Sequence, residues 1–272
     1  MVKPVQVTSR AKGHLRALAL AALTAASVVP AHAKFYSFSA TSSSSNYSGC
    51  SSCFSAPVDA NVQFNVSNGQ LVIDVTNLEQ NLYTAGQTIT SLMFTVTPLS
   101  TPVTTLNLAN SNTYLTGARE NYSSGTGVSY SPSLKSTPVG STGASSPYIT
   151  VGNTKVAQTH WSVDGSGTSG DSMFLNDLNG QGQPYDTIIS SSVSSSPAGS
   201  ITNNHNPFIQ TTATFTVDNA GLLANSLVSN VVVGFGTTPG CTIKAVPEPA
   251  TVALWALGLT GLLLAYRRRR FF

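Results

Sequence analysis

Few residues in this 272-residue chain have the type and spacing to do chemistry. Gly170-Asp171-Ser172 has the outline of a serine-hydrolase nucleophile block, and His160 and His205 are the histidines that lie beyond the N-terminal segment. Acyl transfer through a serine needs a base within hydrogen-bond reach, a group that orients it, and an oxyanion site. Ser172 is followed by Met173-Phe174 and His205 follows Asn203-Asn204, so neither stands in such a motif. Serine is abundant enough for the triplet to arise by chance, and the chain is expected not to be an enzyme. Asp177, Asn179 and Gln181, with Gly182 at the turn, follow the opening of a calcium loop, and Asp186 lies just beyond. The twelfth position is Ile188, which excludes an EF-hand. A Gly/Asn turn is the plain reading, with a weaker, extracellular type of calcium site near Asp177 and Asn179 as its alternative; no other cofactor or metal is expected.

Cys50, Cys53 and Cys241 are the three cysteines. In an oxidising compartment an odd number allows one internal bridge and leaves one thiol over. A bridge from Cys241 to Cys50 or Cys53 would tie distant parts of the chain together; a Cys50 to Cys53 bridge, an intermolecular link and reduced thiols stay open. No helix follows Cys50-Ser-Ser-Cys53 to lower a thiol pKa, and no histidine stands at zinc-ligand spacing.

Both termini carry segments of a different kind. Lys3, Arg10, Lys12 and Arg16 precede an apolar run over residues 17–29, and Ala31-His32-Ala33 puts small residues at the two positions that a signal peptidase reads. Residues 1–33 are therefore expected to be a signal peptide, cleaved after Ala33. At the other end come Val246-Pro247-Glu248-Pro249, an uncharged run over residues 250–266, and Arg267, Arg268, Arg269 and Arg270. As a helix the run spans about 25 Å, near the lower limit for crossing a bilayer. The arginines would be held on the cytoplasmic side, leaving everything before Val246 outside. Pro247 and Pro249 cannot continue a regular helix, so residues 246–249 should be extended and accessible.

This ordered set, Pro247-Glu248-Pro249, a Leu/Gly-rich span with Gly258 and Gly261, and a terminal basic cluster, resembles the PEP-CTERM sorting signal of Gram-negative bacteria. The resemblance covers residues 246–272. It implies that a membrane-embedded exosortase recognises Pro247-Glu248-Pro249, removes the tail, and releases or re-anchors the protein at the cell surface from an inner-membrane-anchored precursor. Such proteins often accompany exopolysaccharide and biofilm systems.

The net charge of +3 is a property of these two segments. Residues 34–245 carry five basic and nine acidic side chains. No Lys/Arg cluster is left to neutralise a phosphate backbone, so nucleic acid is not an expected partner. The remainder, rich in Ser, Thr, Asn, Gly and Val, is long enough for one large β domain.

The clearest elements lie in residues 61–76. Val62, Phe64 and Val66 alternate with Asn61, Gln63 and Asn65, Leu71, Ile73 and Val75 alternate with Val72, Asp74 and Thr76, and Asn68-Gly69 between them suits a type I′ turn. A two-residue loop there pairs Val66 with Leu71, Phe64 with Ile73 and Val62 with Val75, so all six face one way. Residues 91–96 and 212–217 alternate similarly, and residues 231–235 read as a buried strand. Residues 117–143 and 190–207 read as long surface loops. Outside the termini no segment has helical periodicity, and no strict repeat marks a solenoid or propeller. The expected domain, residues 34–245, is an all-β antiparallel β-sandwich, jelly-roll or immunoglobulin-like, followed by the sorting segment 246–272 with its transmembrane helix. Its expected role is structural or adhesive. A carbohydrate-binding module that stacks sugars on Trp161, Tyr130, Tyr148 and Tyr185 is the alternative, and a secreted hydrolase a further one.

Overall fold

The hairpin read from residues 61–76 is present in the expected register. A computed structural model describes residues 33–40, 47–48, 56–99, 106–123, 127–141, 143–144, 146, 148–151, 153–164, 172–177, 185–237 and 241–245. The chain divides into two compact units, Met1–His32 and Ala33–Phe272, and the described residues all belong to the second. Ala31, Cys50, Cys53, Asn179, the Pro247-Glu248-Pro249 motif, the expected membrane helix 250–266 and Arg267 to Arg270 lie outside the described residues.

The strands are β1 (Lys34–Ala40), β2 (Tyr47–Ser48), β3 (Val58–Ser67), β4 (Gln70–Asn77), β5 (Ile89–Thr97), β6 (Asn112–Ser123), β7 (Gly127–Val139) and β8 (Tyr148–Val151). They continue as β9 (Thr154–Ala157), β10 (Ser162–Asp164), β11 (Ser172–Asn176), β12 (Ile188–Ile189), β13 (Phe208–Gln210), β14 (Thr212–Asp218), β15 (Leu227–Phe235) and β16 (Thr242–Lys244). The protein is all-β. Fourteen strands form one sheet in the order β1-β3-β4-β14-β6-β13-β12-β5-β15-β16-β2, with β7 on β6 and the β10-β11 pair on β5, while β8 and β9 form a separate hairpin. Among the described strands pairing is antiparallel except between β12 and β13, and an isolated parallel bridge joins Leu82 to Val193. Among the described residues no helix is long and apolar enough to cross a membrane.

In the β3-β4 hairpin Val66 pairs with Leu71, Phe64 with Ile73 and Val62 with Val75. All six are buried. The turn differs from the expected type I′, which needs positive φ at both central residues. Only Gly69 is left-handed, at φ 80°. Tertiary bonds account for the difference: the Gly69 amide donates to the Leu222 carbonyl at 2.9 Å, and the Asn68 side-chain oxygen accepts from the Ala224 amide at 3.0 Å. The loop after β14 thus holds the turn, while the apolar pattern holds the register.

The sheet curls so that strands far apart in its order meet. Phe64 on β3 lies edge-on to Phe94 on β5, with ring centroids 5.1 Å apart. The Tyr36 hydroxyl on β1 donates to the Val228 carbonyl on β15 at 2.8 Å. Leu92, Phe94 and Val96 of β5 and Ala213, Phe215 and Val217 of β14 fill the enclosed core, as their alternation predicts. Val231, Val232, Val233 and Phe235 on β15 are buried as well.

Residues 117–143, expected to be loop, instead supply most of the β6-β7 hairpin. The inward positions of β6 carry Thr113, Leu115 and Arg119, and only Leu115 among them is apolar. The period of two is present but is written in residues that hydropathy does not register. Residues 190–207 are mostly free of strands, as expected, yet they pack. Ile201 joins Leu82, Ala85, Ile189 and Phe208 in a second apolar cluster.

Candidate functional site

Arg119 is the single arginine between residues 34 and 245, and β6 points it into the core. Its Nε donates to Asp186 Oδ1 and its Nη2 to Asp186 Oδ2, each at 2.6 Å, and neither side chain is exposed to solvent. This is the planar two-point pairing that guanidinium and carboxylate make best. Nη2 also donates to the Gln158 carbonyl, and Nη1 reaches the Pro132 carbonyl on β7.

Asp186 is held from several sides. Its Oδ2 accepts from the His160 amide at 3.3 Å, its amide donates to the Pro207 carbonyl at 2.7 Å, and its carbonyl accepts from Trp161 Nε1 at 2.9 Å. The residue adopts φ 67°, a conformation that an aspartate keeps only where its surroundings impose it. Burial pushes the Asp186 carboxyl up, against the pull of hydrogen bonds and charge from Arg119. Beside it the Tyr185 hydroxyl donates to the Ala144 carbonyl at 2.6 Å, and its ring lies 4.7 Å from that of His160. Burial, and then the Asp186 charge, push the Tyr185 hydroxyl up.

Asp177 stands apart from this network. It continues β11 by one residue, and its amide donates to the Thr90 carbonyl at 3.0 Å. Its carboxylate is fully buried, and neither oxygen has a hydrogen-bond partner. Burial, reinforced by the like charge of Asp186, pushes this carboxyl far above the usual carboxylate range.

Of the other candidate residues, His160, Trp161 and Tyr185 gather around Asp186, whereas Ser172, Tyr148 and Tyr130 lie on β11, β8 and β7. Ser172 opens β11, where its Oγ shares a 3.1 Å hydrogen bond with Thr95 Oγ1 on β5; Gly170 and Asp171 lie outside the described residues. His160 and His205 are both buried. Trp161 is fully buried, edge-on to Phe215 at 4.9 Å, and Tyr185 is nearly so. Burial takes both off any sugar-stacking surface, and their polar tips are already engaged, the Trp161 indole by the Asp186 carbonyl and the Tyr185 hydroxyl by the Ala144 carbonyl. Tyr148 is half-buried on β8, with the Lys155 ammonium 4.5 Å above its ring. Tyr130 lies on β7 opposite Glu120. Cys241, 6% exposed, is disulfide-bonded.

Sequence reasoning misses the Arg119-Asp186 pair. The available signal is the lone arginine placed two residues beyond Gly117 and four beyond Leu115, on the inward phase of a polar strand. Chemically the arrangement is a clamp: it joins β6, β7, residues 158–161 and residues 185–187 through donors and acceptors that already have partners.

Comparison with known families identifies the C-terminal segment. Residues 245–270 match the family model described as PEP-CTERM protein-sorting motif. The match supports an exported protein that an exosortase processes from a membrane-anchored precursor. No curated protein and no solved structure matches the chain.

Proposed function

We propose that this chain is an exported surface or extracellular-matrix protein, sorted by an exosortase, whose β-domain has a structural or adhesive role beside exopolysaccharide. One observation carries the reading: the folded domain runs directly into the sorting motif. β16 ends at Lys244, the Ala245 amide donates to the Val231 carbonyl at 2.9 Å, and the motif begins at residue 245. Pro247 follows within about 7 Å of chain. The address therefore follows the last strand without an intervening linker, and cleavage beyond Pro249 would remove none of the described strands. We read the curled sheet as an antiparallel sandwich of jelly-roll or immunoglobulin-like type, on the strength of the Phe64-Phe94 contact across its core. The buried polar network, with its donors already engaged, favours a scaffold over a catalyst. The burial of Trp161 and Tyr185 weighs against a sugar-stacking face.

Mass spectrometry of the mature protein from its native host tests the sorting step, with loss of the tail beyond the Pro247-Glu248-Pro249 region as the expected result. A C-terminus that retains Arg267 to Arg270 contradicts it. For the domain, saturable binding to a single glycan on an array would replace the scaffold reading with a binding module. Ester or glycoside turnover lost in Ser172→Ala would replace it with a hydrolase.

A further inference from the structure

Three side chains next to one another in the sheet leave four buried oxygens without hydrogen-bond partners: Thr90 Oγ1, Asp177 Oδ1 and Oδ2, and Thr187 Oγ1. Asn176 pairs with Ser91, so Asp177 stands opposite Thr90, and the Asp177 amide to Thr90 carbonyl bond closes that rung. Ile188 occupies the place opposite Ile89, which brings Thr187 beside the same rung. Thr90 shares its face of β5 with Leu92 and Phe94, and Asp177 shares its face with Leu175 and Met173, all of them buried. Both side chains therefore point inward.

A carboxylate kept ionised in that position needs an answering charge. Buried carboxylates are paired, protonated or bound to a metal. Asp186 acts on Asp177 with the same sign, and Arg119 is engaged by Asp186. These four ligands are all oxygen, which is the donor set of a hard cation.

We infer that Asp177, Thr90 and Thr187 form an internal site for a hard divalent cation of the Ca2+ class. Ca2+ takes roughly six to eight oxygens, so main-chain carbonyls and water would complete the shell. In this role the cation bridges the end of β11, the start of β5 and the start of β12. It would lock the sheet at a rung where the hydrogen-bond ladder passes from one neighbouring strand to another.

Tb3+ serves as the probe, because Trp161, bonded through its indole to the Asp186 carbonyl, is placed to sensitise its emission. With the full-length chain in detergent, excitation of tryptophan should give Tb3+ emission that saturates and is displaced by Ca2+. Chelation should lower the wild-type unfolding temperature, and Ca2+ should restore it. Asp177→Asn should weaken Tb3+ binding by at least about tenfold. It should also abolish the Ca2+-dependent shift while unfolding no earlier than the chelated wild type. Thr90→Val, a smaller change, should weaken binding without abolishing it, and it reads the site even if the Asp177 variant fails to fold. Absence of Tb3+ emission together with identical wild-type unfolding in Ca2+ and chelator overturns the site and leaves Asp177 as a protonated acid. A Ca2+ shift of equal size in wild type and both variants overturns it as well, since the cation then binds elsewhere.

Discussion

Arg119 and Asp186 occupy interior positions that a β-domain ordinarily fills with apolar side chains. Burying both charges is costly, and their attraction offsets that cost only because the geometry is bidentate and the remaining donors find carbonyls. Removing one partner should therefore be far worse than removing both. Asp186→Ala should cost about 3–5 kcal/mol of stability in urea denaturation, whereas the joint change Arg119→Met with Asp186→Leu should cost much less than the two single changes added together. Additive costs would mean that the two side chains do not act as a pair. Asp177 gives a pH dependence of definite sign. Its folded pKa is raised above the unfolded value of about 4, so in chelator the folded state retains a proton that the unfolded chain has released. Stability should then fall as pH climbs from about 4 towards the raised folded value, and Asp177→Asn should reduce that slope to the part that belongs to Asp186, whose carboxyl is also pushed up. Denaturation midpoints across this range measure it, and a midpoint that rises with pH contradicts it. At this scale little is legible in the sequence. Asp177 and Asp186 stand out as spaced acids, but which of them meets an arginine depends on a strand 67 residues away.

Strands whose alternation is written in Val, Leu, Ile and Phe are legible, including the β3-β4 register, because turn length and apolar phase select the same pairing. The β6-β7 hairpin is not, because its inward residues include Thr113, Arg119 and Thr137, and propensity alone reads such a run as loop. Two glycines separate conformational strain from close packing. Gly69 has φ 80°, and a Cβ added there would meet nothing within 4 Å, so Gly69→Ala should cost about 1–2 kcal/mol from backbone strain alone. At Gly143 a Cβ would come within 1.8 Å of the His160 carbonyl oxygen. Gly143→Ala must push the adjoining segments apart, breaking the Ala144 amide to Thr159 carbonyl bond, and should cost about 3 kcal/mol or more. It should also shift Trp161 fluorescence, which Gly69→Ala should leave alone. Equal costs and unchanged emission in both variants would contradict this account.

Across the whole molecule, the address at the C-terminal end is more legible than the domain before it. A sorting signal is local, with Pro247-Glu248-Pro249, an apolar run and four arginines inside one short window, whereas strand order joins partners as distant as β4 and β14. Cys241 lies between the two kinds of information. Cys241→Ser should lower stability by about 2–4 kcal/mol, measured by denaturation without reductant, and the wild-type protein in reductant should fall to the same level. If the variant matches the oxidised wild type, the bond does not stabilise the domain. The position of that bond also sets how the domain bears a pull. Tension entering through the C-terminal tail would peel β16 from β15 and β2, starting at Ala245, and reach Cys241 after four residues. Beyond about 14 Å of released slack, the force passes into a covalent link instead of a ladder of hydrogen bonds. Hung by its tail, the domain yields slightly at its last strand and then holds.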